Sequence, residues 1–119
     1  MDDSIMAFFD AWEMTAAQPR LEKIAGAVTD SVRYADPRSP EEIEGAVALS
    51  EYVGMFSAGA PGWSAKVVKS DTQAGVTRVT VAFGGPGPDG NNVEQLGQYF
   101  VEKDGERITR MIGFVGTGS

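Results

Sequence analysis

The hydrophobic period of this chain changes once, near Trp63, and that change decides what it can fold into. Before Trp63, apolar residues recur every three or four positions; after it, every second position. The first spacing puts apolar side chains on one face of a helix, the second on one face of a strand. Helices first and antiparallel strands afterwards make an α+β domain, with the helices on one face of a curved sheet.

The elements follow from this pattern. Ile5, Phe8, Phe9 and Trp12 sit at i, i+3, i+4 and i+7 and predict a helix over 3–15, capped by Asp2, Asp3 or Ser4. Leu21, Ile24, Ala25 and Val28 repeat the spacing and predict a second helix over 19–27, with Pro19 in its first turn. Ser31–Tyr34 is a short strand, with Val32 and Tyr34 on one face. Pro37 disfavours helix at Asp36. Ser39 and Glu42 have capping-box spacing and predict one helical turn before Gly45. Residues 45–59 form a third helix, apolar enough around its circumference to be buried on two sides, and Gly59 with Pro61-Gly62 ends it.

Four long strands then follow as a meander. Ala65 and Val67 alternate with Lys66, and Gln73-Ala74-Gly75 is a turn. Thr77, Val79, Val81 and Phe83 share a face; 84–92, rich in Gly, Pro and Asn, reads as a loop. Residues 93–102 and 107–115 are the last strands, with a hairpin turn at Asp104-Gly105. No boundary or repeat divides 1–119, so a single domain is expected.

Composition removes many chemistries. The chain has no Cys and no His. Thiol nucleophiles, Ser-His triads and the usual zinc sites are therefore excluded. Proton transfer falls to carboxylates, Tyr or Lys. The net charge of -7 opposes binding to phosphate backbones, so no nucleic-acid partner is expected. No apolar run approaches ~18 residues, so no membrane span is expected. The acidic start, Met1-Asp2-Asp3, is unlike a signal peptide and predicts a cytoplasmic protein. The Glu41, Glu42, Glu44 group suits a helix start and lacks the ligand pattern of a calcium loop, so no metal is assigned. Gly84-Gly85-Pro86-Gly87 lacks the Lys-Ser/Thr of a phosphate loop.

Several features together resemble one family. They are Phe8-Phe9-Asp10-Ala11-Trp12, Tyr34-Ala35-Asp36-Pro37, Gly45, Pro61-Gly62 and Asp104-Gly105-Glu106-Arg107-Ile108. In their order and spacing they resemble the nuclear-transport-factor-2-like superfamily, in its ketosteroid-isomerase and polyketide-cyclase (SnoaL-like) branch, over about residues 5–116. The resemblance implies a cone: a strongly bent mixed sheet around the long third helix, with an apolar pocket at the wide end. It implies no cofactor, a small apolar ligand and a homodimer through the sheet. In the steroid-isomerase members an Asp before Pro at the end of the first strand is the general base. A helix Tyr and a protonated Asp form the oxyanion hole. The base position falls on Asp36, the Tyr position on Phe8 and the second Asp position on Gln98.

The candidate site follows. Asp36 is the catalytic candidate, since desolvation at an apolar mouth makes a carboxylate a usable base; alternatively it only caps the turn with Pro37. Tyr34, two residues earlier, shares its face and could donate to a ligand oxygen. Gln98 shares a face with Leu96 and Phe100. It serves a ligand carbonyl if that face is concave; if Tyr99 points inward instead, Gln98 faces solvent. Phe8, Trp12, Tyr52, Phe56, Trp63 and Met111 are the candidate lining, with Gly113 leaving space beside Met111. The expected function is a cofactor-independent isomerase, cyclase or lyase. It abstracts a proton from a small apolar carbonyl compound through Asp36, with Gln98 and Tyr34 stabilising the enolate. The alternative is a non-catalytic ligand-binding or dimerisation module of the same fold.

Overall fold

One six-stranded sheet, in the order β2-β1-β6-β5-β4-β3, organises the molecule. The computed structural model describes residues 3–39, 41–59 and 62–116. The helices are α1 (Asp3–Asp10), prolonged by a 3-10 turn (Ala11–Glu13), α2 (Ala17–Ala27) and α3 (Ala46–Gly59). The strands are β1 (Val28–Ala35), β2 (Ile43–Glu44), β3 (Ser64–Gln73), β4 (Val76–Pro86), β5 (Asn92–Asp104) and β6 (Arg107–Val115). Asp2 as a helix cap, Pro40 in the expected turn and Pro61 in the helix stop lie outside the described residues.

The last four strands are the expected antiparallel meander. β1 lies parallel to β6, which makes the sheet mixed. Register shifts leave one extra residue, Val68, in β3 and one, Thr109, in β6 opposite Glu102 and Lys103, and bend the strands as bulges do. The sheet curves around α1 and α3, the cone-shaped α+β arrangement expected from the sequence. Phe8, Phe9, Tyr34, Leu49, Val79 and Met111 form part of one buried core in the hollow.

Four local expectations change. β1 starts at Val28, directly after α2, because the Val28 N–H still reaches the Ile24 carbonyl as the chain turns extended. Among the described residues the capping-box helix is absent: Ser39 bonds back to Asp36, and Ile43–Glu44 pairs with β1 as a short strand. The loop 84–92 shrinks to a hairpin connection over 87–91, because Gly84, Gly85 and Pro86 continue β4 opposite Glu94, Val93 and Asn92. A side chain at Gly85 would collide with Trp63, whose indole N–H donates to the Pro86 carbonyl at 3.0 Å. The glycines thus serve a close approach within a strand, not a flexible loop.

The third helix is also less enclosed than expected. Leu49, Ser50 and Val53 are buried, but Val47 and Met55 are 60% and 72% exposed. Much of its apolar count is Ala and Gly, which bury little area. Gly54 is the place where buried Arg20 of α2 crosses α3, donating to the Ser50 and Met14 carbonyls.

Candidate ligand cavity

The wide end of the cone holds a cavity of about 800 Å³. That lies within the range of small-molecule sites. Trp12, Tyr52, Phe56, Trp63, Phe83 and Tyr99 supply aromatic lining, and Asp36 is the one acidic residue among the described residues that line it. The rings interlock edge to face: Trp12 meets Phe56 at 4.9 Å and Phe83 at 5.5 Å between centroids. Such pairing holds a wall open by rigid contact.

Asp36 stands where β1 ends. Its Oδ1 accepts the N–H groups of Arg38 (2.9 Å) and Ser39 (3.0 Å), which closes the turn through Pro37. The same oxygen accepts the Tyr52 hydroxyl at 2.7 Å. Its Oδ2 accepts the Tyr34 hydroxyl at 2.6 Å. The Tyr34 and Tyr99 hydroxyl oxygens lie 2.9 Å apart. Tyr34 has one proton and gives it to the carboxylate, so Tyr99 must donate to Tyr34. The result is a directed chain: Tyr99 to Tyr34 to Asp36, with Tyr52 joining from α3.

Three elements meet here, each for a local reason. β1 alternation points Val32 and Tyr34 inward, and Asp36 follows on the same side. The α3 stripe turns Tyr52 toward the strand end. On β5, Gly97, Tyr99 and Val101 point inward. Tyr99 pairs with Gly113 of β6, where any side chain would strike its ring. Burial raises the Tyr34 ionisation well above the ordinary value, with Tyr99 and Asp36 adding to it. Burial likewise raises Tyr99. Tyr52 is raised by burial and by its bond to Asp36. All three therefore hold their protons at neutral pH.

Of the residues expected to contact a ligand, Trp12, Tyr52, Phe56 and Trp63 line the cavity. Phe8 and Met111 do not: both are fully buried behind the wall. Tyr34 is fully buried too and reaches the site through its hydroxyl. Gln98 corrects the β5 expectation, since it is half-buried on the convex face beside exposed Leu96 and Phe100. Tyr99 takes the inward place, and the space left by Gly113 is filled by its ring. The sequence names Tyr99 as the alternative inward residue and Phe83 on a strand face without assigning either to the site, and it does not single out Arg38 or Gln95. The signal for Tyr99 was its alternation with Gly97 and Val101.

A curved α+β cone with a carboxylate at the end of an aromatic hollow is a recurring architecture. Solved structures share this architecture. A SnoaL-like family structure from Agrobacterium tumefaciens str. C58 superposes with a TM-score of 0.79 at 22% identity, covering 96% of this chain and 95% of that one. A protein with a ketosteroid isomerase-like fold from Catenulispora acidiphila DSM 44928, in complex with trimethylamine, gives 0.79 at 14% identity, over 98% and 88%. An NTF2-like protein of unknown function from Exiguobacterium sp. 255-15 gives 0.72 at 13% identity, over 98% and 99%. No protein-family model and no curated protein matches the sequence. The fold of this chain is that of the nuclear-transport-factor-2-like superfamily. Among the described residues no helix is long and apolar enough to cross a membrane.

Proposed function

We propose that this protein binds a small, mainly apolar carbonyl compound in the cavity and that Asp36 takes a proton from it, as a cofactor-independent isomerase, cyclase or lyase. The observation that carries the reading is the position of Asp36: one carboxylate at the end of an aromatic cavity of about 800 Å³. Its Oδ2 accepts only the Tyr34 hydroxyl among the described residues, which leaves room for a further proton. The carboxylate is held on two sides by turn N–H groups and by tyrosines, so its orientation is set before a ligand arrives.

A test is available without knowing the natural substrate. 2-Tetralone, an apolar bicyclic ketone, exchanges its acidic C–H protons with deuterated water, and proton NMR follows the loss. The wild-type protein is expected to speed the exchange and Asp36→Asn to abolish the acceleration with ligand affinity retained. Equal acceleration by both proteins removes Asp36 as the base.

One observation favours a second reading, a binding module without chemistry. Oδ1 of Asp36 already accepts three hydrogen bonds, two of them from its own turn. The carboxylate then serves to build the turn and anchor a ligand. Binding of 2-tetralone without accelerated exchange supports this reading.

We also propose a homodimer through the convex sheet face. Leu96, Phe100 and Phe114, on the β5–β6 side opposite Tyr99, are 43%, 39% and 54% exposed, with Leu96 and Phe114 also reaching the cavity lining, and the Phe100 and Phe114 rings meet at 5.7 Å. A cluster of this kind marks an interaction surface.

A further inference from the structure

The protons at the inner end of the cavity are already assigned by the geometry. Tyr34 and Tyr52 each donate to Asp36, and Tyr99 donates to Tyr34. Asp36 itself, as a carboxylate, has none to give. Three tyrosines therefore converge on the site, yet their hydroxyl protons all point along the chain. What remains open is acceptor capacity: the phenolic oxygens of Tyr52 and Tyr99, which accept from no group among the described residues, and Oδ2 of Asp36. Asp36, Tyr52 and Tyr99 all line the cavity. The Trp12 indole N–H is buried and has no hydrogen-bond partner among the described residues, so it presents no exposed donor to the cavity. The remaining side-chain donors of the polar lining, Arg38 and Gln95, are exposed to water.

We propose that the cavity selects molecules presenting a hydroxyl donor, an aromatic phenol or an enol, over ketones and ethers of the same shape. A phenol or enol places its O–H against the Asp36, Tyr52 and Tyr99 oxygens and its ring among Trp12, Phe56 and Phe83. A ketone or ether oxygen meets acceptors there and leaves them unsatisfied. Discrimination by a buried polar group rests on this asymmetry: an unmade hydrogen bond costs more than a made one gains. The arrangement is the reverse of an oxyanion hole, in which tyrosine or acid protons point at the ligand. The proposal rests on the second reading above, a binding cavity without chemistry, since a ketone substrate is what this arrangement disfavours, and it names that reading's ligand class.

The probes are 2-naphthol and 2-methoxynaphthalene, which share a ring system and differ in one donor proton. Fluorescence titration of the full chain at pH 7 measures both. A hydrogen bond to a charged acceptor predicts that 2-naphthol binds about tenfold or more tightly than its methyl ether. Bound 2-naphthol is expected to keep the absorption of the neutral phenol. In Asp36→Asn the preference is expected to shrink to about threefold or less, since an amide is a weaker acceptor and brings its own donors. Equal wild-type affinities, a preference for the methyl ether, or absorption of the bound naphtholate anion overturns the proposal and leaves the cavity reading standing. Binding of neither probe overturns both. A preference that survives intact in folded Asp36→Asn shows the hydroxyl is recognised elsewhere and also overturns it. If that variant does not fold, the wild-type affinities and absorption spectrum decide alone.

Discussion

Tyr34→Phe removes one oxygen atom from the centre of the hydrogen-bond chain, and its cost can be worked from the geometry. Tyr34 is fully buried, so the phenylalanine ring fits the same space among Phe8, Trp12 and Tyr52. Asp36 loses the 2.6 Å bond but keeps Tyr52 and two backbone donors. The Tyr99 hydroxyl loses its acceptor in a buried place. An unsatisfied buried hydroxyl and a lost bond to a charged group together cost about 2–4 kcal/mol. For a chain of this length that lowers Tm by roughly 8–16 °C. Urea unfolding monitored by circular dichroism at pH 7 measures the loss. The pH dependence adds a second readout. Tyr34 and Tyr99 hold their protons more tightly in the folded chain than free tyrosine does. Their contribution is whole below about pH 10, the unfolded value, and falls as pH rises above it, because only the unfolded chain releases the protons. Each group adds a slope of about 1.4 kcal/mol per pH unit. Tyr34→Phe removes one such slope, so wild type and variant converge above pH 10. A loss below about 0.5 kcal/mol at pH 7, or a gap that stays constant through pH 11, refutes the reasoning; neutral change is what an ordinary surface site gives.

Two further perturbations test the surrounding structure. Gly113→Ala puts a methyl group against the Tyr99 ring; overpacking of this kind costs about 1–3 kcal/mol, read by urea unfolding. It should also weaken 2-naphthol binding, and a variant unchanged in both would show that Tyr99 is not held as described. Phe100→Asp with Phe114→Asp puts two charges into the convex apolar cluster. Light scattering should report a dimer for wild type and a monomer for the variant, and a wild-type monomer at high concentration ends the dimer proposal.

The elements were legible because their causes are local. The period of three to four predicts α1 and α3, and the period of two predicts the meander, including β6 over its whole length. Asp36 at the end of β1 was equally plain, since Pro37 stops regular structure after it. Errors arose where local rules favoured two outcomes. Ser39 and Glu42 have helix-start spacing, but the Asp36 carboxylate and carbonyl compete for the same Ser39 groups and win. Gly84 and Gly85 look like loop residues, yet strand pairing with β5 and the Trp63 ring claim them.

By itself, then, the amino-acid order determined the element types, their succession and the aspartate at a strand end. Only the tertiary structure decided which face of β5 is concave, because alternation defines two faces and does not say which one the helices cover. That choice turned Gln98 outward and brought Tyr99 to Tyr34, a contact spanning 65 residues. The proton chain through Tyr99, Tyr34, Tyr52 and Asp36 exists because a strand, a helix and a second strand converge at one end of the cone. Hydrogen bonds between such distant residues have no periodic trace in a sequence.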